Sequence, residues 1–212
     1  MSERVKIILD KNADILRLPA IALRGLVGFP GNIIHFEVGR KKSIAAIEWA
    51  MSNNNAVFLT AQQDMDVEDP GFKDLYAYGV VAEVKQVLRV SDELVKVLVE
   101  GKYRAKLLTL DSSGRFLLAS TKAAALRGTK SVDSARVEAL VRSVKEAFEE
   151  YLSLNPRLSK DVVYTIITNE DAALLCDYIP ANLLLKYTDK QALLNEGTVS
   201  GRLEKLLEIL RR

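Results

Sequence analysis

The spacing of apolar residues changes once along this chain, and that change limits the fold more than any other feature. From about Leu16 to Ala119 the apolar positions mostly alternate, as in strands with one buried face. Beyond Ser131 they recur every three or four residues, as on amphipathic helices. An alternating half followed by a helical half predicts an α+β protein in two parts.

The clearest strand signal lies in Val80–Val90, where Val80, Ala82, Val84, Leu88 and Val90 are apolar and Glu83, Lys85 and Arg89 intervene. After the polar turn Ser91-Asp92-Glu93 the alternation resumes through Val95, Val97 and Val99. The two runs predict a hairpin with its even face buried on the first strand. Gly101 falls where a bulge or bend would redirect the chain into Tyr103–Leu110. A helix is predicted over Lys42–Met51 from Ile44, Ile47, Ala50 and Met51, stopped by Asn53-Asn54-Asn55. Ala56–Thr60 reads as a buried strand, and Asp69-Pro70-Gly71 as a turn.

Residues 121–131 are small, polar and basic, which predicts a hinge between a β-rich part, 1–120, and a helical bundle, 132–212. In the second half Val137, Leu140, Val141, Val144, Phe148, Tyr151 and Leu152 form one apolar stripe, stopped at Asn155-Pro156. Capping-box spacing at Thr168–Asp171 and at Thr188–Gln191 predicts two further helix starts, the first helix ending near Ile179-Pro180. A last stripe, Val199, Leu203, Leu206, Leu207 and Leu210, is still running at Arg212, which reads as a helix cut in mid-course.

Composition narrows the function. A formal net charge of +2, with no basic stretch interleaved with aromatics, argues against nucleic acid as a partner. Cys176 is the only cysteine, so no disulfide can form within the chain and a reducing compartment is expected. The charged start, Met1–Lys6, is neither a signal peptide nor a membrane anchor, so the chain reads as cytoplasmic, with no membrane partner.

No chemistry-bearing motif stands out. G-x-x-x-x-G-K-[ST] and G-x-G-x-x-G are absent, and Gly25–Gly31 lacks the Lys of a phosphate loop and contains a Pro. One His and one Cys cannot make a zinc site. His35 reads as a strand residue, Cys176 as helix core, Trp49 as a packing anchor, and Asp64, Asp66, Glu68 and Asp69 as a solvated acidic loop.

An ordered series of short motifs does resemble a known family. Leu18-Pro19 with Leu23-Arg24, then Phe29-Pro30-Gly31, then Val38-Gly39-Arg40 with Lys42-Ser43, is similar to the opening of the amino-terminal region of bacterial Lon ATP-dependent proteases. The resemblance continues through Asp69-Pro70-Gly71, Asp74-Leu75-Tyr76, Gly79–Ala82 and Lys96–Gly101 with Arg104-Ala105. Ala181–Leu184, Lys190–Leu194 and Arg202–Leu207 carry it to the helical segment before the family's ATPase module. The chain departs from the pattern at Ala22, where a second Pro is usual, and at Asp92-Glu93, where the hairpin tip usually has a Gly. Residues 1–14 match nothing in it.

The resemblance implies a β-rich pseudo-barrel lobe followed by a helical bundle. It implies a non-catalytic role in recruiting unfolded or tagged proteins and in assembling a hexamer. ATP, Mg and the Ser-Lys peptidase chemistry belong to modules of the parent enzyme, so no cofactor is expected in this stretch. A free-standing Lon-type substrate-binding domain is the alternative within the family, and a small hydrolase with an unrecognised site the alternative outside it. The candidates to meet polypeptide are Arg24 and Phe29 in the first loop and Arg40, Lys41 and Lys42 at the start of the first helix, all in non-strand segments; the alternative is that Phe29 is core and the basic trio solvated surface.

Overall fold

Alternation in the first half produces six strands: β1 Leu16–Leu23, β2 Ile33–Val38, β3 Ala56–Ala61, β4 Tyr78–Ser91, β5 Leu94–Asp111 and β6 Leu118–Ala123. The computed structural model describes residues 15–128, 134–155 and 157–212. It divides into two units between Ala125 and Leu126. In the first, the strand order is β2-β5-β4-β3-β1-β6, and β6 also pairs with β5. Five strands, β5-β4-β3-β1-β6, therefore close a ring of backbone hydrogen bonds, and the pseudo-barrel expectation is met in that form. Closure depends on the length of β5. Its first half, Val95–Glu100, pairs with β2, and its second half, Ala105–Asp111, pairs with β6.

The β1–β3 pair is parallel and the others antiparallel. Parallel neighbours need a crossover between them, which here contains β2 and the helix α1, Lys41–Asn53. Both faces of the β1–β3–β4 sheet are buried. Leu18, Ala20, Phe58, Val81, Tyr103 and Ala119 pack together on one face. Ile21, Leu23, Val57, Leu59, Ala82 and Val84 pack on the other, covered by Ala46, Ile47 and Ala50 of α1. Burial on both faces explains why β3 reads as a continuous apolar run. Within α1 the buried stripe runs through Ser43, Ala46, Ile47 and Ala50, and Met51, expected on that face, is exposed.

The hairpin forms as expected, but its buried face changes midway. Val80, Ala82 and Val84 are buried, whereas Leu88 is 58% and Val90 52% exposed. Val84 pairs with Val99 and Gln86 with Leu98, so Lys85 is an extra residue on β4. One extra residue moves every later side chain to the opposite face. A second bulge lies opposite: Val81 pairs with Tyr103 and Ala82 with Gly101, leaving Lys102 unpaired on β5. Both bulge lysines contact Glu83 and Glu100, at 2.7–3.0 Å.

The second unit holds α2 Ser134–Leu154, α3 Lys160–Thr168, α4 Ala172–Asn182, α5 Tyr187–Asn195 and α6 Val199–Leu210. Its core includes Val144, Phe148, Ile166, Leu175, Ile179, Leu203 and Leu206. The expected cap positions shift. Thr168 ends α3, and Asp171 caps α4, accepting from the Ala173 and Leu174 N–H groups. Thr188 lies inside α5, whose cap position is Lys186, and Thr198 caps α6 through the Gly201 N–H. Pro180 does not stop α4, which runs on to Asn182. No helix among the described residues is long and apolar enough to cross a membrane.

The expected hinge, 121–131, begins inside a strand. Thr121 is buried and pairs with Leu16 and Leu107, and β6 continues to Ala123. Residues 129–131 of it lie outside the described residues. Limited trypsin digestion is expected to spare Lys122, whose neighbours are held in the ladder, and Arg127, whose N–H and C=O are bonded to Gly197 and Val199. Mass spectrometry showing first cleavage after Lys122 would contradict that placement.

Candidate functional site

Four of the five expected contact residues come together, and the fifth does not. Arg24 follows directly on β1, and Arg40 occupies the cap position of α1, with Lys41 and Lys42 in its first turn. The helix has no side-chain cap and no acidic residue in that turn, so its positive end is surrounded by further positive charge. These four side chains line a cleft of about 470 Å³ with Ser43, Glu68 and Asp69. Phe29 is 1% exposed and belongs to the core, with its carbonyl against Gly101. Its loop is turn-rich but folds inward, so Phe29 is unavailable to a partner without unfolding.

The cations are tied to the loop opposite. The Arg40 guanidinium donates to the Ala22 carbonyl and, at 3.3 Å, to the Glu68 carbonyl. Burial, and then the neighbouring charge of Arg24, lower the pKa of Arg40 from its ordinary value. Arg24 donates to the Val67 carbonyl at 3.2 Å, and Lys42 pairs with Asp69 at 2.9 Å. Lys41 is exposed and makes no ion pair among the described residues. Glu68 and Asp69 thus form the counter-wall of the cleft, and all four carboxylates of the acidic loop, Asp64 and Asp66 included, are exposed. Opposite charge on two segments was the available signal, but their separation of about 27 positions hid it.

A second cleft, of about 380 Å³, opens between β1 and β2 and shares Ala22, Arg24, Arg40 and Ser43 with the first. The other residues considered in the sequence take structural or surface places. Cys176 is fully buried, and desolvation pushes its thiol up to about 12, far from a usable nucleophile. Trp49 lies 5.7 Å from the Phe116 ring, and His35 is exposed on β2. Among the described residues no three His, Cys, Asp or Glu side chains are grouped to hold a metal ion. The sequence has no phosphate loop of the G-x-x-x-x-G-K-[ST] kind.

A five-strand ring with a sixth strand at its edge, followed in sequence by a five-helix unit, places the chain among proteins of the Lon amino-terminal fold. It is similar to the N-terminal domain of the Mycobacterium avium complex Lon protease, with a TM-score of 0.73 at 20% identity over 92% of this chain and 98% of that one. It is also similar to a Lon N-terminal domain protein from Xanthomonas campestris, with a TM-score of 0.63 at 15% identity over 91% and 98%.

Residues 17–212 match the ATP-dependent protease La (LON) substrate-binding domain, and the chain belongs to that family. It is 38% identical over 199 residues to the Lon protease of Desulforamulus reducens, covering 94% of this chain and 24% of that protein. It is 36% identical to the Lon protease of Escherichia coli K12, covering 94% and 25%. The chain therefore spans about a quarter of the length of the curated relatives it matches.

Proposed function

We propose that this chain is the non-catalytic substrate-recognition region of a Lon-type protease, binding unfolded or tagged proteins and contributing to subunit assembly. The observation that supports it most is the match to a substrate-binding domain over residues 17–212, joined to a cleft with four cations at its wall. Nucleotide hydrolysis and peptide cleavage then belong to the remaining three quarters of such an enzyme.

Recruiting many different clients calls for modest affinity, because a surface that gripped each one would obstruct hand-over. Micromolar binding, about −8 kcal/mol, would serve. Arg24, Arg40, Lys41 and Lys42 form the charged rim of that surface, and Arg24 and Lys41 are the exposed members. Titrating a labelled, permanently unfolded protein into the chain is expected to give micromolar binding without nucleotide. A Lys41→Glu, Lys42→Glu variant is expected to bind about tenfold more weakly, and the difference to shrink in high salt. Equal affinities for two folded proteins would remove the basic rim from the binding surface.

A further inference from the structure

Among the described residues β2 lies at the end of the sheet and pairs on one side only, with β5. The ladder decides which of its backbone groups are left over. The Asn32 carbonyl accepts from the Gly101 N–H at 2.9 Å. Alternation in an antiparallel ladder then makes Ile34–Val99, Phe36–Val97 and Val38–Val95 the hydrogen-bonded pairs. The N–H and C=O groups of Ile33, His35 and Glu37 point away from β5.

Soluble proteins ordinarily blunt such an edge with a bulge, a Pro or several charges. β2 has none of these protections: its register with β5 is unbroken, Glu37 is its only charged residue, and Ile33 is 52% exposed.

A second edge faces the same space. The Leu23 carbonyl accepts from the Gln62 N–H on the β3 side, so Ala22 turns its backbone groups the other way. There the backbone hydrogen bonding of β1 ends with the Ala20 N–H, which donates to the Leu117 carbonyl at 2.8 Å. The Ala22 carbonyl is taken by the Arg40 guanidinium, a side chain standing where a neighbouring strand would be. Ala22 and Leu23 of β1 and Glu37 and Val38 of β2 line one cleft, continuous with the basic cleft through Arg24 and Arg40.

We infer that the free edge of β2 receives an extended segment of client polypeptide as an added strand, hydrogen-bonded to Ile33, His35 and Glu37, with an acidic residue of the client lying towards Arg24 and Lys41. The inference rests on the recognition role proposed above and gives it a site. Donors and acceptors alternating along an edge match extended main chain, and main chain is common to every unfolded protein, so this part of the affinity would not depend on client sequence. Charge favours acidic segments at one end, where four cations stand against Glu68 and Asp69 and the nearby Glu37 is paired with Lys96.

Amide hydrogen exchange by NMR tests this on the whole chain, with a reduced, carboxymethylated unfolded protein as probe. At saturation the amides of Ile33, His35 and Glu37 are expected to slow at least about tenfold, while those of Ile34, Phe36 and Val38, already in the ladder, change little. His35→Pro removes an outward N–H and leaves the β5 ladder intact, so it is expected to weaken binding about tenfold, with His35→Ala within about twofold of wild type. If His35→Pro unfolds the chain, the exchange result decides alone. Binding with the three amides unchanged overturns the edge site and leaves the recognition role standing; absence of binding overturns both. Protection that rises with protein concentration without probe would give the edge to a second copy of this chain and overturn its assignment to clients.

Discussion

Gly79→Ala is expected to destabilise the strand ring by more than about 3 kcal/mol, one of the largest effects of any single methyl group in this chain. Gly79 lies at the start of β4, paired with Ala105 of β5. A Cβ there would sit 2.1 Å from the Leu59 carbonyl oxygen and 2.8 Å from the Phe58 ring. The oxygen is backbone of the adjacent strand β3, and Phe58 is fully buried, so neither can yield without moving the core. Against a total stability of roughly 5–15 kcal/mol, such a loss leaves a large unfolded population in mild denaturant. Gly114→Ala is the control: the nearest atom to its Cβ is 3.7 Å away, and a change within about 0.5 kcal/mol is expected. Trp49, the only tryptophan, lies in α1 and reports this unit in urea unfolding. A Gly79→Ala midpoint matching that of Gly114→Ala would show that β3 and β4 are not so closely apposed.

The same crowding recurs at Gly101, whose Cβ would lie 2.3 Å from the Phe29 carbonyl oxygen. From sequence alone Gly101 marks a bend, and the structure gives the reason: the first loop crosses β5 there. That contact also places Phe29 in the core, the alternative that its residue type and loop left open. A loop read from Gly28, Pro30 and Gly31 reads as surface, and nothing local reveals that its centre is pressed against a strand some seventy residues on.

How much of the fold was legible follows from how local its causes are. Val80–Val84 and Val95–Val99 alternate against a core on one side, and their burial was readable. Leu88 and Val90 continue the same even positions but are exposed, because the bulge at Lys85 has no signature in residue type. Helix starts failed in a related way. Thr168 has capping-box spacing, yet Asp171 stands directly before the apolar run Ala172–Cys176 and captures the first free N–H groups. The nine residues of α3 were too short to show a period. Ring closure and the open edge of β2 depend on which strands meet, which alternation does not encode. The basic rim was visible because three cations adjoin in sequence; its acidic counter-wall required the fold.

Arg202→Ala is expected to cost the helical unit about 3–5 kcal/mol. Arg202 is 1% exposed although it lies on α6, among Leu203, Leu206 and Ile209 of the core. Its guanidinium pairs with Asp177 of α4 and donates to the Glu196 carbonyl at 2.9 Å, just ahead of the Thr198 cap. One side chain thus ties together α4, the α5–α6 connection and the start of α6. Its Nε has no partner among the described residues, so the buried charge is held through its two terminal nitrogens. Truncation leaves a cavity and strips Asp177 of its cation, whereas a lysine would restore charge but not the two-directional hydrogen bonding. Arg202→Lys is therefore expected to recover less than half of the loss. Asp177→Ala added to Arg202→Ala should cost less than the sum of the two single losses, because the interaction they share is lost only once. The exposed Arg136–Glu204 pair sets the scale for an ion pair in water, and Arg136→Ala is expected to change stability by less than about 0.5 kcal/mol. Far-ultraviolet circular dichroism in urea follows these helices while Trp49 fluorescence follows the ring, so loss of helical signal at an unchanged Trp49 midpoint would place the effect in the second unit. Equal stabilities for Arg202→Ala and Arg136→Ala would mean that burial of Arg202 contributes nothing to holding α4 and α6 together.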